Sequence, residues 1–158
     1  MILFPPQSIM TSSFHCGPLP FITISDSGEC RVDEHAAKLL SQIKGKVAVI
    51  SVAGWARTGK SFLLNRLMGT QEGFEVGTRT RGIWIWGQPV ELGEDYFAIL
   101  MDTEGLNGGR NDAKIFSLTM LLSSYLVLNS SSDDQWPELC LLNEIARSIT
   151  SAGCSLLW

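Results

Sequence analysis

Cysteine is scarce in this chain and never paired in sequence. Cys16, Cys30, Cys140 and Cys154 stand far apart, with no C-x-x-C pair and no metal-ligand spacing. That argues against a disulfide framework or a zinc site and leaves reduced thiols as the expectation. Histidine is scarcer still: His15 has no partner in the sequence, and His35 falls in the first turn of an expected helix, where a solvated or packed ring is the ordinary outcome. Positive charge is not in excess. With a formal net charge of −4, nothing draws the chain to nucleic acid or to an anionic membrane in general. The longest apolar tract, 118–128, is interrupted by Ser123 and Ser124 and is too short to span a bilayer. The N-terminus has no basic segment, and Pro5 and Pro6 end its apolar start too early for a signal peptide. A cytoplasmic protein is expected, meeting membranes only through segments outside this sequence. With 45% hydrophobic and 18% charged residues, the 158-residue chain reads as one globular domain and not as disorder. No internal repeat is present.

What the chain does have is the stretch 47–61, VAVISVAGWARTGKS. A β-branched apolar run over 47–52 leads into Gly54-x-x-x-x-Gly59-Lys60-Ser61, followed by an amphipathic helix expected over 61–68. Strand, glycine loop and helix start in that order form a phosphate-binding loop. Gly54 and Gly59 let the backbone curl so that successive N–H groups converge on phosphate oxygens. The helix start adds unpaired N–H groups and a positive dipole end. Lys60 supplies a cation for the β and γ phosphates, and Ser61 a hydroxyl for Mg²⁺.

The rest of the chain arranges itself around that stretch. Residues 1–20, rich in Pro and Ser, read as a loose leader. A short strand over 21–24 and a turn at Ser27-Gly28 lead to 30–32, which can pair back as a hairpin. Asp33 caps an expected helix over 34–43, stopped by Gly45. Residues 70–81 are polar and glycine-rich. Strands are expected over 82–87 and 96–101, joined by a turn at 91–95 and paired antiparallel. Trp84 and Trp86 share one strand face, where packing is the default role. Asp102-Thr103-Glu104-Gly105 follows the second strand directly, the place for a Mg²⁺-supporting carboxylate beside a phosphate loop. Residues 106–112 form a loop in which Asp112 can cap a helix over 113–122, and a strand follows at 125–128. Pro137 opens an expected helix over 138–150, and residues 151–158 fit no completed element.

These residues together resemble the GTPase domain of the guanylate-binding proteins and atlastins, a branch of the dynamin-like large GTPases. The phosphate loop Gly54-Trp55-Ala56-Arg57-Thr58-Gly59-Lys60-Ser61 carries the likeness, with its internal arginine. So do Thr80-Arg81-Gly82-Ile83-Trp84-Ile85-Trp86, which is similar to switch I and its strand, and Met101-Asp102-Thr103-Glu104-Gly105-Leu106, which is similar to the third motif. The likeness spans residues 17–150. It implies an α/β P-loop sandwich with a mostly parallel sheet and one antiparallel edge strand, occupying 21–150 as a C-terminally truncated domain. It implies GTP as substrate, hydrolysed to GDP with Mg²⁺, and catalysis coupled to homo- or heterodimerisation through the nucleotide face. Residue by residue, it implies that Gly54, Thr58, Gly59, Lys60 and Phe62 line the nucleotide and that Ser61, Thr80 and Asp102 hold Mg²⁺. Gly105 would sense the γ-phosphate, and Thr80 and Lys60 would act with Arg57, the family's internal arginine finger. On the residue alone, Arg57 could equally cap the loop through a surface ion pair.

Two departures stand against that resemblance. Arg79 replaces the polar switch residue before the threonine, which bears on how water is positioned. No Arg-Asp pair and no Asn-Lys-x-Asp occurs anywhere in the sequence, so guanine selectivity has no visible source. Without the later strands, the strand at 125–128 would be left at the sheet edge. The last eight residues suggest a truncated isoform, a fragment or an imprecise gene model. A GTPase is therefore one reading. A catalytically weak interaction module is the second, and an ATP-using P-loop protein the third.

Overall fold

A computed structural model describes residues 14–70, 73–75 and 80–129. The chain order is β1 (Pro18–Ile24), β2 (Cys30–Val32), α1 (Glu34–Ser41), β3 (Lys46–Ala53) and α2 (Lys60–Met68), then β4 (Ile83–Trp86), β5 (Val90–Gly93), β6 (Tyr96–Thr103), α3 (Asp112–Leu122) and β7 (Tyr125–Leu128). The expected helix at 138–150, the tail at 151–158, Arg79 and residues 1–13 of the leader lie outside the described residues.

The seven strands of the described residues form one sheet in the order β2-β1-β4-β6-β3-β7, with β5 also paired to β6. The parallel part is β6-β3-β7, and it carries the phosphate loop. The α/β sandwich is as the motifs imply, but the antiparallel part exceeds one edge strand. Strand β4 pairs antiparallel with β6, β1 adds to β4, and β2 folds back on β1. Strand β1 begins at Pro18, inside the stretch read as leader. Both prolines sit where β1 pairs with β4, and the register shifts after Pro20, as a residue without an N–H would impose.

Strand β6 is buried from Phe97 to Thr103, and its alternation feeds two cores. Ile99 and Met101 pack with Ile22, Ala36, Ile83, Ile85 and Ile115 on the face that α1 and α3 contribute to. Ala98 and Leu100 pack on the opposite face with Val52, Leu64 of α2, Phe74, Trp86 and Val90. Trp84 packs against that same group, so the tryptophan pair is structural, and Trp86 meets Phe74 at 5.8 Å between ring centroids.

Of the places where the structure departs from the sequence reading, three have a clear local cause. Buried Val90 draws a short β5 onto β6, confining the expected turn at 91–95 to its last residues, and Asp95 takes a left-handed φ of 59°. Helix α1 ends at Ser41 because the N–H groups of Gln42 and Ile43 bond three residues back instead of four, tightening the last turn. Asp112 does not cap α3. Its carboxylate accepts from the N–H groups of Asn107 and Gly108, fastening the preceding loop, and Asn111 stands at the N-cap. Asp33 does cap α1, accepting from Ala36 N at 2.9 Å.

Candidate functional site

The site lies where β3 and β6 end side by side. Their parallel register pairs Val52 with Asp102, so the phosphate loop and the acidic motif leave the sheet together. Gly54 has φ 147°, and a Cβ there would stand 2.1 Å from Asn129 O, so only glycine lets the chain turn so close to the end of β7. Gly59 forms the N-cap of α2 in a left-handed conformation, with no side-chain cap and no acidic residue in the first helical turn. The N–H groups at this helix start, those of Lys60, Ser61 and Phe62, thus have no capping side chain.

Three of the expected residues converge. Ser61 Oγ donates to Asp102 Oδ2 at 2.6 Å, and Thr80 Oγ1 reaches the same oxygen at 3.5 Å. Asp102 Oδ1 accepts from Thr103 N at 3.0 Å. Burial raises the Asp102 carboxyl above its ordinary range, against the opposing pull of Ser61, Lys60, Thr103 and Thr80. Lys60 is buried and donates from Nζ to the Trp55 carbonyl at 2.8 Å. Burial lowers its ammonium below the ordinary range, partly offset by the charge of Asp102.

Gly105 presses on the phosphate loop itself: an added Cβ would lie 2.4 Å from Ala56 Cα. The loops are joined there by Ala56 N to Leu106 O and Leu106 N to Gly54 O, at 2.8 and 3.0 Å. Thr58 turns its hydroxyl inward to Trp55 O at 2.9 Å. Arg57 and Phe62 are not drawn into this cluster. Arg57 is exposed at φ 65°, a costly conformation for a side-chain-bearing residue, and it makes no ion pair among the described residues. Phe62 is half-exposed on α2, with its ring 5.1 Å from Arg66 Cζ.

Sequence reasoning missed three residues that hold these parts. Glu104 Oε2 accepts from Gly82 N at 2.8 Å while Glu104 N donates to Gly82 O, tying the segment after Thr80 to the acidic motif. Asn65, buried in α2, donates to and accepts from the backbone of Phe74 at 2.9 and 2.8 Å. Asn129 donates to Thr58 O at 2.9 Å. An amide on the apolar side of a helix was the available signal for Asn65. The other two contacts join segments whose proximity only the sheet order reveals.

The family description "Guanylate-binding protein, N-terminal domain" matches residues 27–155. Guanylate-binding protein 3 of Homo sapiens is 41% identical over 147 residues, 85% of this chain and 24% of its own. Guanylate-binding protein 5 of Mus musculus is 38% identical over 140 residues, 82% of this chain and 24% of its own. Guanylate-binding protein 7 of Homo sapiens is 34% identical over 157 residues, 92% of this chain and 25% of its own. The chain thus spans about a quarter of the length of these relatives. With its glycine loop, Thr80 and the acidic motif gathered at one end of the sheet, the chain belongs to the guanylate-binding proteins, a family of dynamin-like GTPases, and matches their N-terminal domain.

Proposed function

We propose that the chain binds GTP with Mg²⁺ through the loop at 54–61 and hydrolyses it by attack of a water on the γ-phosphate. The observation that carries this reading is the convergence of Ser61 and Thr80 on one oxygen of Asp102, beside buried Lys60. The described residues hold no cluster of three or more His, Cys, Asp or Glu. One carboxylate and two hydroxyls are hard oxygen donors, the set Mg²⁺ takes when phosphates and water complete its shell. The residues therefore fit the metal: Ser61 and Thr80 would ligate it and Asp102 would act through a water. The chemistry it would supply there is neutralisation of charge on the β and γ phosphates.

The chain's own groups do the rest. Uncapped N–H groups at the start of α2 and the loop amides donate to the triphosphate tail, which gives Phe62 a role through its backbone and not its ring. A phosphate replaces the Trp55 carbonyl as partner of the Lys60 ammonium and offsets the burial that disfavours its charge. Gly105, in contact with the phosphate loop, offers its N–H to the γ-phosphate. Arg57, exposed and without an ion pair among the described residues, can swing onto the transferring phosphoryl group when two nucleotide faces meet, and such a finger contributes on the order of a thousandfold or more. The name of its relatives, guanylate-binding proteins, is the support for guanine; no Arg-Asp pair in this sequence supplies it. That lack favours a second reading, an interaction module that holds triphosphate weakly and pairs with longer relatives. A cytoplasmic location belongs to the proposal and rests on composition. No described helix is long and apolar enough to cross a membrane.

Phosphate release from GTP by the full chain, with Arg57→Ala alongside, tests the reading. Mg²⁺-dependent release that falls in the variant while GTP affinity holds supports the enzyme. Absence of release by the unaltered chain, with GTP bound, leaves only the interaction module.

A further inference from the structure

Asn129 sits at the end of β7, beyond the phosphate loop in the sheet order β6-β3-β7. It grips both ends of that loop. Its backbone N donates to Ala53 O at 2.8 Å, and its carbonyl lies where a Cβ of Gly54 would fall. Its side-chain amide donates to Thr58 O at 2.9 Å and approaches Thr58 Oγ1 at 3.5 Å. The Thr58 hydroxyl in turn donates to Trp55 O, the carbonyl that also receives Lys60 Nζ. A line of hydrogen bonds thus runs from Asn129 through Thr58 and Trp55 to Lys60.

The direction of one peptide plane follows from this. The described chain contains no cis peptide bond, so the Thr58 carbonyl and the Gly59 N–H point opposite ways. With the carbonyl held toward β7, the Gly59 N–H is turned away from β7. Because β3 lies between β7 and β6, that is the side where Asp102, Ser61 and Thr80 gather. The same anchor braces the segment that carries Arg57 at φ 65°, a conformation that persists only when its surroundings hold it. We propose that Asn129 is a positioning residue for triphosphate binding, which fixes the Thr58–Gly59 peptide so that the Gly59 N–H faces the phosphates. This inference rests on the nucleotide-binding reading above.

The isosteric change Asn129→Asp tests it, since it puts an acceptor against the Thr58 carbonyl. Two quantities are measured on the full chain: the amide resonances of Arg57 and Gly59 without nucleotide, and the affinity for fluorescent GTP with Mg²⁺. Losing a donor and facing two acceptors together should shift both resonances well beyond those of α1 and weaken affinity about tenfold. Unmoved resonances, or a variant that binds within twofold of the unaltered chain, would overturn the positioning role and leave the nucleotide reading intact. If the unaltered chain binds no GTP yet the loop resonances move, the nucleotide reading fails while the hold of Asn129 on the loop stands. Should Asn129→Asp not fold, Asn129→Ala carries the same two readouts.

Discussion

Ser61 Oγ lies 2.6 Å from Asp102 Oδ2, although 41 residues separate the two in sequence. One residue lies in the first turn of a helix on the far side of the phosphate loop, and the other nearly ends β6. The parallel pairing of β3 with β6 brings them together, and a one-residue slip would send Asp102 to the other face of the sheet. The contact joins the two motifs, and the carboxylate is buried at a cost.

That cost predicts a conflict between stability and function. Asp102's carboxyl is held above the ordinary value of 3.8 by burial, so the folded chain keeps a proton at pH values where the unfolded chain has lost it. Stability attributable to Asp102 therefore falls as pH rises from near 3.8 through its raised value, and the penalty is complete above it. The direction of the shift already includes the help from Lys60 and the hydroxyls. Asp102→Asn should raise the melting temperature of the nucleotide-free chain at pH 7, because the neutral amide carries no burial penalty for charge. That gain should shrink as the pH is lowered toward 4, and Mg²⁺ should no longer strengthen GTP binding. A lower melting temperature for the variant at pH 7 would contradict this.

Gly105→Ala puts a methyl group within 2.4 Å of Ala56 Cα, and backbone cannot yield as a side-chain tip can. The expected result is a displaced phosphate loop: GTP affinity falls tenfold or more, and stability by about 1–3 kcal/mol, the usual range for overpacking. Titration with fluorescent GTP and urea unfolding measure the two. Wild-type affinity in this variant would mean the loops do not pack as described.

Asn65→Leu keeps the bulk but removes both bonds to the Phe74 backbone. With a buried N–H and C=O left unpaired, urea unfolding should show a loss of roughly 2–4 kcal/mol. Phe74 packs on Trp86, so tryptophan fluorescence should change as well. A loss under 0.5 kcal/mol would show that the segment finds other partners.

Much of this was legible in the sequence where local chemistry decides. The glycine loop, its lysine and serine, the strand at 125–128 and the Asp33 cap all follow from residue type and spacing. The placement of Asp102 at the end of a buried strand was equally readable, because an apolar run reports burial directly. What escaped depends on which partners the folded chain brings within reach. Asp112 looks like a helix cap by position, yet nearby unpaired N–H groups of the loop took its carboxylate. Val90 was masked by the turn signals around it, although an apolar residue beside Pro89 had a core to enter. Asn129 drew no role from the sequence, since nothing local says that β7 lies against β3.

The central claim is that buried Lys60, with Ser61, Thr80 and Asp102, forms a seat for a nucleoside triphosphate and its metal. Calorimetric titration of the full chain with GTP, in Mg²⁺ and then in EDTA, tests it most directly when Lys60→Ala is run in parallel and ATP as competitor. The account predicts GTP binding that Mg²⁺ strengthens and Lys60→Ala abolishes. It predicts that ATP competes within about tenfold, because the residues named here contact phosphate and metal and not the base. GTP binding that is equal with and without Lys60, or no binding under any of these conditions, would contradict it.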